Sequence, residues 1–278
     1  MDTMRGVLEN YNELRSDPGL VFDKDDLIVF LISDGYSQLS EKFKIWAKER
    51  KFFDQDYLKM RGFCDRTKQG EWYMKDVELL VEDVENVPNN LLHLFMVSTW
   101  DFGLGDSGPK TRRIQFVFGV KQRNDGKINS HKWFYNGICK YLNPEFCMLL
   151  DIGTRPHTHS LYKLLKYMMK HGNCGGCCGE IEVDFSQDRG LCQTYFIKAG
   201  QYYEYKVGHT PDKCYESFFG FTSVLPGAYS MFRWEAIQGT PLNEFFKGLK
   251  TNDLSCAEAN MYLAEDRIMC IETVNKRR

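Results

Sequence analysis

Residues 27–35 read Leu-Ile-Val-Phe-Leu-Ile-Ser-Asp-Gly, a continuous apolar run that ends on an acidic turn. A run of this length, rich in β-formers, is typical of a buried strand in a parallel sheet. Residues 39–47 then carry apolar side chains at helical spacing, so the pattern predicts a strand, a loop and a helix in the order of a βαβ unit. The stretch therefore indicates an α/β fold with a mostly parallel central sheet flanked by helices, and it places Asp34 at the carboxyl end of a strand.

A second stretch repeats this arrangement. Residues 146–152 form another apolar strand candidate that ends on Asp151, and residues 161–169 follow with an amphipathic helical pattern. Two further strand candidates cover residues 94–97 and 114–120. Ligands of open α/β sheets bind outside the carboxyl ends of strands, so Asp34 and Asp151 are both candidate site residues.

The rest of the chain has weaker patterns. Residues 1–26 form an N-terminal flank with helical spacing at Val7, Tyr11 and Leu14. Residues 182–205 suggest a polar segment and a β-rich stretch. Residues 256–271 suggest a helix followed by a terminal strand.

Composition restricts the function classes. The 36 basic and 38 acidic residues give a net charge of -2, which argues against nucleic-acid binding. No apolar run approaches the roughly 20 residues that span a bilayer. Ten cysteines suit a reducing compartment, so the chain is expected to face the cytosol.

The two aspartates suit different tasks. Asp34 stands in a tight turn, where its carboxylate could accept hydrogen bonds from a base or ribose; the alternative is an aspartate that bonds its own turn. Asp151 could hold a hard divalent cation, Mg²⁺ or Mn²⁺, that bridges diphosphate oxygens. The alternative for Asp151 is a helix cap before the helix near residue 161.

Charged and aromatic residues supply further candidates. Glu265 or Asp266 could be a general base, with Arg267 keeping its neighbour ionised; a solvated charge cluster is the alternative. Lys121 and Lys127, with the nearby positions 131 and 132, could meet a diphosphate. Trp133 could pack beneath a sugar, or these side chains could be a solvated face and ordinary core.

Two remaining segments are ambiguous. Cys174, Cys177 and Cys178 show a two-residue cysteine spacing, yet the second ligand pair that a structural zinc needs does not follow. Small buried thiols beside a glycine turn are the alternative. Residues 218–230 mix aromatic and small side chains, as either a saccharide groove or a glycine-kinked core strand would.

Taken in order, these segments resemble the chitin synthases, family 2 glycosyltransferases with a nucleotide-sugar-binding fold of the A type, from about residue 27 to residue 271. The blocks that carry the resemblance are residues 33–35 (SDG), 121–124 (KQRN), 127–134 (KINSHKWF), 149–156 (LLDIGTRP), 175–181 (GGCCGEI), 204–206 (EYK), 223–228 (SVLPGA) and 260–267 (NMYLAEDR).

The resemblance implies an inverting transfer of N-acetylglucosamine from UDP-N-acetylglucosamine to the 4-hydroxyl of a growing β-1,4 chitin chain, with release of UDP. It implies that Asp34 contacts the uridine part, that Lys121 approaches the donor and that Asp151 holds a divalent cation, magnesium or manganese. It also implies that Asp266, beside Glu265, is the base. Lys127, Trp133 and Arg267 are the further substrate-binding candidates.

The resemblance also concerns what surrounds this chain. Residues 1–278 are expected to be a single catalytic domain, truncated before the opening strand of the family and before its Gln-x-x-Arg-Trp acceptor motif. Tyr36 stands where the family usually has Arg. The full-length family member is expected at the cytosolic face of the plasma membrane, held by segments absent from this chain, and in cell-wall synthesis. The resemblance also allows a homodimer.

Two other functions fit the residues. One is synthesis of another β-linked polysaccharide, against which the lysine and glycine-cysteine blocks argue. The other is an inactive truncated fragment that binds a nucleotide sugar or a partner protein without turnover.

Overall fold

A computed structural model describes residues 2–14, 17, 27–35, 38–49, 92–98, 115–121, 124, 126–185, 193–247 and 265–276. The chain divides into two compact units. The smaller unit is Leu14–Ile138, and the larger unit joins Met1–Glu13 to Cys139–Arg278. The prediction of a single catalytic domain with an N-terminal flank stays a prediction.

The described elements include both helices and strands. In chain order they are α1 (Asp2–Leu14), β1 (Ile28–Ser33), α2 (Glu41–Glu49), β2 (Leu92–Ser98), β3 (Gln115–Lys121), α3 (Gly126–Lys132), a π-helical segment (Trp133–Cys139), α4 (Lys140–Leu142), β4 (Phe146–Leu150), α5 (Ser160–Lys170), β5 (Gly176–Cys178), α6 (Gln193–Val207), a second π-helical segment (Gly208–Lys213), α7 (Cys214–Phe218), β6 (Tyr229–Arg233), α8 (Trp234–Ile237), α9 (Thr240–Phe245) and α10 (Glu265–Lys276). The mixed α/β class is confirmed.

The smaller unit contains a sheet in the order β1-β3-β2. β1 runs parallel to β3, with Ile28 opposite Gln115 and Ser33 opposite Val120, while β2 is antiparallel to β3. β3 is the middle strand, and all its side chains after Gln115 are buried. The predicted strand, loop and helix at residues 27–47 are confirmed as β1 and α2.

The larger unit contains a sheet in the order β4-β6-β5, in which both pairs are antiparallel. Middle strand β6 buries four of its five residues. α5 forms as predicted because Leu161, Leu165 and Met168 recur at helical spacing and are buried together. Leu150 lies opposite Tyr229 in the register, so the end of β4 meets the start of β6.

The mostly parallel sheet is not confirmed. Among the described strands, β1 and β3 form a parallel pair, and the other three pairs are antiparallel. A continuous apolar run predicts a strand that is covered on both faces, and β1 is half-buried along its whole length. The connections between strands decide the direction of a strand's neighbour.

Two predictions of secondary structure were wrong. The β-rich stretch expected within residues 182–205 is occupied by α6, which begins at Gln193 and leaves Phe196 and Ile197 exposed. The terminal strand expected near residue 271 is part of α10, which begins at Glu265. A short apolar run does not distinguish a strand from a buried helical segment. Residues 256–264 lie outside the described residues.

The helical pattern in the N-terminal flank is confirmed by α1, in which Val7 and Tyr11 are buried. No helix among the described residues combines the length and the apolar character that crossing a membrane requires.

Candidate active site

Asp34 and Lys121 lie side by side because of the strand register. Ser33 of β1 is opposite Val120 of parallel β3, so the next residue of each strand leaves the same edge of the sheet. There the Asp34 carboxylate and the Lys121 ammonium form an ion pair. The Lys121 side chain is fully buried, whereas that of Asp34 is 28% exposed. Asp34 is therefore the member of the pair that solvent or a ligand reaches.

Two further bonds hold Lys121 in place. Its ammonium donates to the carbonyl of Gly126 at 3.0 Å and to Oδ1 of Asn129 at 3.3 Å. Both acceptors belong to α3, so Lys121 ties the edge of the sheet to the start of this helix. The sequence predicted that Lys121 approaches the sugar-nucleotide donor. The structure adds that Lys121 is paired with the Asp34 carboxylate.

The other candidates of the lysine segment differ in exposure. Lys127 is exposed on α3 and Trp133 is half-buried. Burial, together with the charges of Lys127 and Lys121, lowers the pKa of His131 to about 4, so the imidazole is neutral at pH 7. Residues 36, 122 and 123, which belong to the two motifs of this unit, lie outside the described residues.

Asp151 follows β4 and is exposed at its carboxyl end. Its backbone N–H donates to the carbonyl of Ala228 at 3.2 Å, and its own carbonyl accepts from Thr154 N–H at 3.0 Å. The second bond closes a turn whose third residue, Gly153, has φ 113°, a conformation that glycine adopts without strain. Asp151 does not cap α5, because this helix starts at Ser160. The turn presents the carboxylate outward.

Asp266 reaches the same segment from α10. Its Oδ2 accepts a hydrogen bond from Gly227 N–H at 2.8 Å. Gly227 and Ala228 are consecutive, so Asp266 and Asp151 are fixed to adjacent residues of one turn. This places two of the three predicted acids at one location in the larger unit. Glu265 is half-buried and Arg267 exposed beside Asp266; residues 260–264 of this motif lie outside the described residues.

The residues at this turn fit a magnesium-type cation. Such ions keep waters and take substrate phosphate oxygens, so one or two protein carboxylates suffice. An exposed carboxylate at a strand end meets that requirement. The described part of the chain contains no group of three or more His, Cys, Asp or Glu side chains that could hold a metal. Asp151 could supply one such ligand, with substrate oxygens and waters as the others.

The glycine-cysteine block is strand β5, and packing explains its glycines. A Cβ on Gly176 would lie 2.8 Å from Leu225 Cδ1 and 2.9 Å from Phe232 Cδ1. A Cβ on Gly179 would lie 2.4 Å from Tyr229 Cδ1. Glycine at both positions lets the edge strand lie directly against β6.

The thiols of the block behave as small buried groups. Burial, with the neighbouring Cys174 and Cys178, raises the pKa of the Cys177 thiol to about 12. The thiol of Cys174 donates to the carbonyl of Gly176 at 3.2 Å. A raised pKa favours the protonated thiol in the metal-free chain, whereas a zinc site is built from thiolates.

Lys206 joins two blocks that are far apart in the sequence. Its ammonium donates to Glu180 at 2.5 Å and to Glu182 at 2.7 Å. These hydrogen bonds raise the pKa of Lys206 above its ordinary value. α6 is thereby tied to the segment that follows β5.

A cavity of about 1190 Å³ opens beside these elements in the larger unit. Its lining includes Tyr167, Phe218, Phe221, Cys178 and Cys270. Within residues 218–230, Phe218 and Phe221 are exposed at the cavity, while Tyr229 and the next residues form core strand β6; a saccharide groove here stays a prediction.

The described structure brings the predicted residues together in two groups. Asp34 and Lys121 form one in the smaller unit, and Asp151 with Asp266 forms the other in the larger unit. Convergence of all of them on one pocket stays a prediction. Sequence reasoning missed Asn10 and named Gly227 and Lys206 only as members of blocks of the resemblance, because their contacts join residues that are distant along the chain.

Comparison with known proteins adds an independent finding. Residues 91–278 match the model of the chitin synthase-like glycosyltransferase domain.

Curated relatives agree with this match. The chain is 49% identical over 171 residues to Chitin synthase 2 of Mycosarcoma maydis, covering 59% of this chain and 16% of the relative. It is 45% identical over 171 residues to Chitin synthase C of Aspergillus oryzae, covering 59% and 18%. It is 34% identical over 290 residues to Chitin synthase 1 of Gibberella zeae, covering 99% and 30%. The chain spans at most 30% of the length of these three relatives.

Proposed function

Because this chain belongs to the chitin synthase-like glycosyltransferase domain family, we propose that it carries the catalytic residues for transfer of N-acetylglucosamine from UDP-N-acetylglucosamine to a growing β-1,4 chitin chain. The observation that supports this most directly is the attachment of Asp151 and Asp266 to adjacent residues of the turn at Gly227 and Ala228. The proposed reaction needs a cation ligand and a base close together, and Asp151 and Asp266 are both hydrogen-bonded to this turn, Asp151 through its backbone and Asp266 through its carboxylate.

In the proposed reaction, Asp266 is the general base. Its carboxylate takes the proton from the 4-hydroxyl of the terminal sugar as that oxygen attacks the anomeric carbon. The bond between this carbon and the UDP oxygen breaks on the opposite side, so UDP leaves and the α linkage becomes β. The hydrogen bond from Gly227 N–H keeps the Asp266 carboxylate oriented during proton transfer.

Asp151 is the residue that would hold Mg²⁺ or Mn²⁺ in this proposal. The cation, when bound, neutralises the negative charge that develops on the leaving diphosphate. Asp34 would accept hydrogen bonds from the uridine part, with Lys121 holding its carboxylate in place. Lys127, Trp133 and Arg267 are proposed as further substrate contacts, and Glu265 as the acid beside the base.

The cavity in the larger unit is the proposed location of the acceptor chain. Cys270 lines it and lies one helical turn after Asp266 on α10. Exposed aromatic side chains such as Phe218 and Phe221 offer flat apolar faces, which suit the faces of sugar rings.

Calorimetric titration with UDP, with and without Mg²⁺, tests the donor site. We expect UDP to bind the parent chain more tightly with Mg²⁺, and Asp151→Asn to remove this metal-dependent part. Asp266→Asn is the matched control, because its amide oxygen can still accept a hydrogen bond from Gly227 N–H. This variant should bind UDP normally. It should lose turnover with UDP-N-acetylglucosamine and a chitin oligosaccharide. No heat with UDP and Mg²⁺ for the parent chain would refute the donor site. Equal, metal-independent heats for the parent and Asp151→Asn would favour a binding fragment without turnover.

A further inference from the structure

One face of α1 contacts the loop that follows Asp151. Thr3 Oγ1 accepts from Gly153 N–H at 3.1 Å, and Glu13 Oε2 accepts from His159 N–H at 2.7 Å. Between them, Gly6 lies against Pro156 so closely that a Cβ on Gly6 would be 2.8 Å from the Pro156 carbonyl oxygen. The contacting positions 3, 6, 10 and 13 recur at helical spacing, so they form one stripe along the loop.

Asn10 is the central contact of this stripe and is completely buried. Its amide nitrogen donates to the carbonyls of Gly6 and His157, both at 2.9 Å. Its amide oxygen accepts from Leu161 N–H at 3.0 Å, in the first turn of α5. Both donor hydrogens and the acceptor oxygen are used, so α1, the loop and α5 are joined through one side chain.

Thr3, at the amino end of the stripe, makes the contact that lies nearest to Asp151 in the loop. Gly153 is the third residue of the turn that Asp151 opens, and this turn is closed by the bond from Thr154 N–H to the Asp151 carbonyl. Gly153 lies in the left-handed region with φ 113°, and its N–H is bonded to Thr3. The hydroxyl of Thr3 therefore restrains the backbone that aims the Asp151 carboxylate.

We propose that α1 is a positioning element for the cation loop, in which Thr3 and Asn10 fix the turn that carries Asp151. This inference rests on the proposed function, since it assigns to α1 the preorganisation of the Asp151 carboxylate for the cation on the UDP diphosphate. A preorganised loop binds more tightly because less ordering is required when the ligand arrives.

The test uses Thr3→Val, which keeps the side-chain shape and removes the oxygen that accepts from Gly153 N–H. A change at Asn10 could prevent folding because the side chain is buried, so the partly exposed Thr3 carries the experiment. We expect Thr3→Val to bind UDP with Mg²⁺ about threefold to fivefold more weakly, the order of one lost hydrogen bond. Thr3→Ser should bind like the parent, and Arg5→Ala, an exposed position of α1, should also be unchanged.

Hydrogen exchange without UDP or metal supplies a second readout. The amide of Gly153 should exchange faster in Thr3→Val than in Thr3→Ser, with an unchanged midpoint of thermal unfolding. Equal UDP affinity in Thr3→Val and the parent would overturn the inference, as would unchanged exchange at Gly153. A parent chain that gives no heat with UDP and Mg²⁺ would instead refute the proposed donor site, and the Gly153 exchange rates would still report whether α1 restrains the loop.

Discussion

Replacing Gly179 by alanine should weaken the larger unit by a predictable amount. The added Cβ would lie 2.4 Å from Cδ1 and 2.5 Å from Cε1 of Tyr229. Tyr229 cannot move aside freely, because it is buried in middle strand β6 and its hydroxyl is 2.7 Å from that of Ser160. Either the ring or the edge strand must shift.

The magnitude follows from these two contacts. Overpacking a well-filled core costs about 1–3 kcal/mol. If the Tyr229 ring shifts, its hydrogen bond to Ser160 is lost as well, which adds about 1 kcal/mol. We therefore expect Gly179→Ala to lower the free energy of unfolding of the larger unit by about 2–4 kcal/mol in total.

Native-state hydrogen exchange of peptides from β5 and β6 measures this change in the larger unit alone. Gly172→Ala is the matched control, because no atom lies within 4 Å of its added Cβ; it should change the free energy by less than about 0.5 kcal/mol. In a Tyr229→Leu background, Gly179→Ala should cost much less than in the parent chain. A cost below about 0.5 kcal/mol in the parent would refute the packing argument.

Two further predictions concern the smaller unit. Burial holds the pKa of His131 near 4 in the folded chain, against an ordinary value of 6.5, so the unfolded chain binds more protons in this range. The free energy of unfolding should therefore fall by about 3 kcal/mol as the pH drops from about 6.5 to about 4. Urea unfolding at several pH values should show a flatter pH profile for His131→Gln, and an identical slope would contradict this. Asp34→Asn should cost about 3 kcal/mol because it leaves the fully buried Lys121 ammonium without its counter-charge. Lys121→Met should cost less, since it removes the buried charge itself and leaves a carboxylate side chain that is 28% exposed; thermal unfolding with the opposite order would exclude this account.

The sequence predicted local structure well where periodicity was strong. The run at residues 27–32 is β1, and the spacing of Leu161, Leu165 and Met168 predicted α5. The sequence did not predict strand direction, because the direction of a strand depends on how the chain connects it to its neighbour in the sheet. It also placed a strand near residue 271, where α10 continues, since four apolar residues in succession fit either structure.

The candidate site was predictable as residue types and positions. The carboxylates that follow strands were recognisable at Asp34 and Asp151, because acidic residues after apolar runs have a characteristic pattern. The contact between Asp266 and Gly227 was not recognisable, since it joins residues 39 positions apart. The role of Asn10 was not recognisable either, because no sequence pattern distinguishes a buried, hydrogen-bonded asparagine from an exposed one on a helix.

The position of α1 in the chain has a consequence for synthesis. The bonds from His159 of the loop to Glu13 and from Leu161 of α5 to Asn10 join residues 146 and 151 positions apart, so the ribosome makes α1 long before the loop that it holds. An isolated helix of 13 residues is marginal in water. Asn10 must therefore stay hydrated until residue 161 has emerged, and closing so distant a contact is slow. Translation past this residue is the earliest moment at which the cation loop can acquire its support.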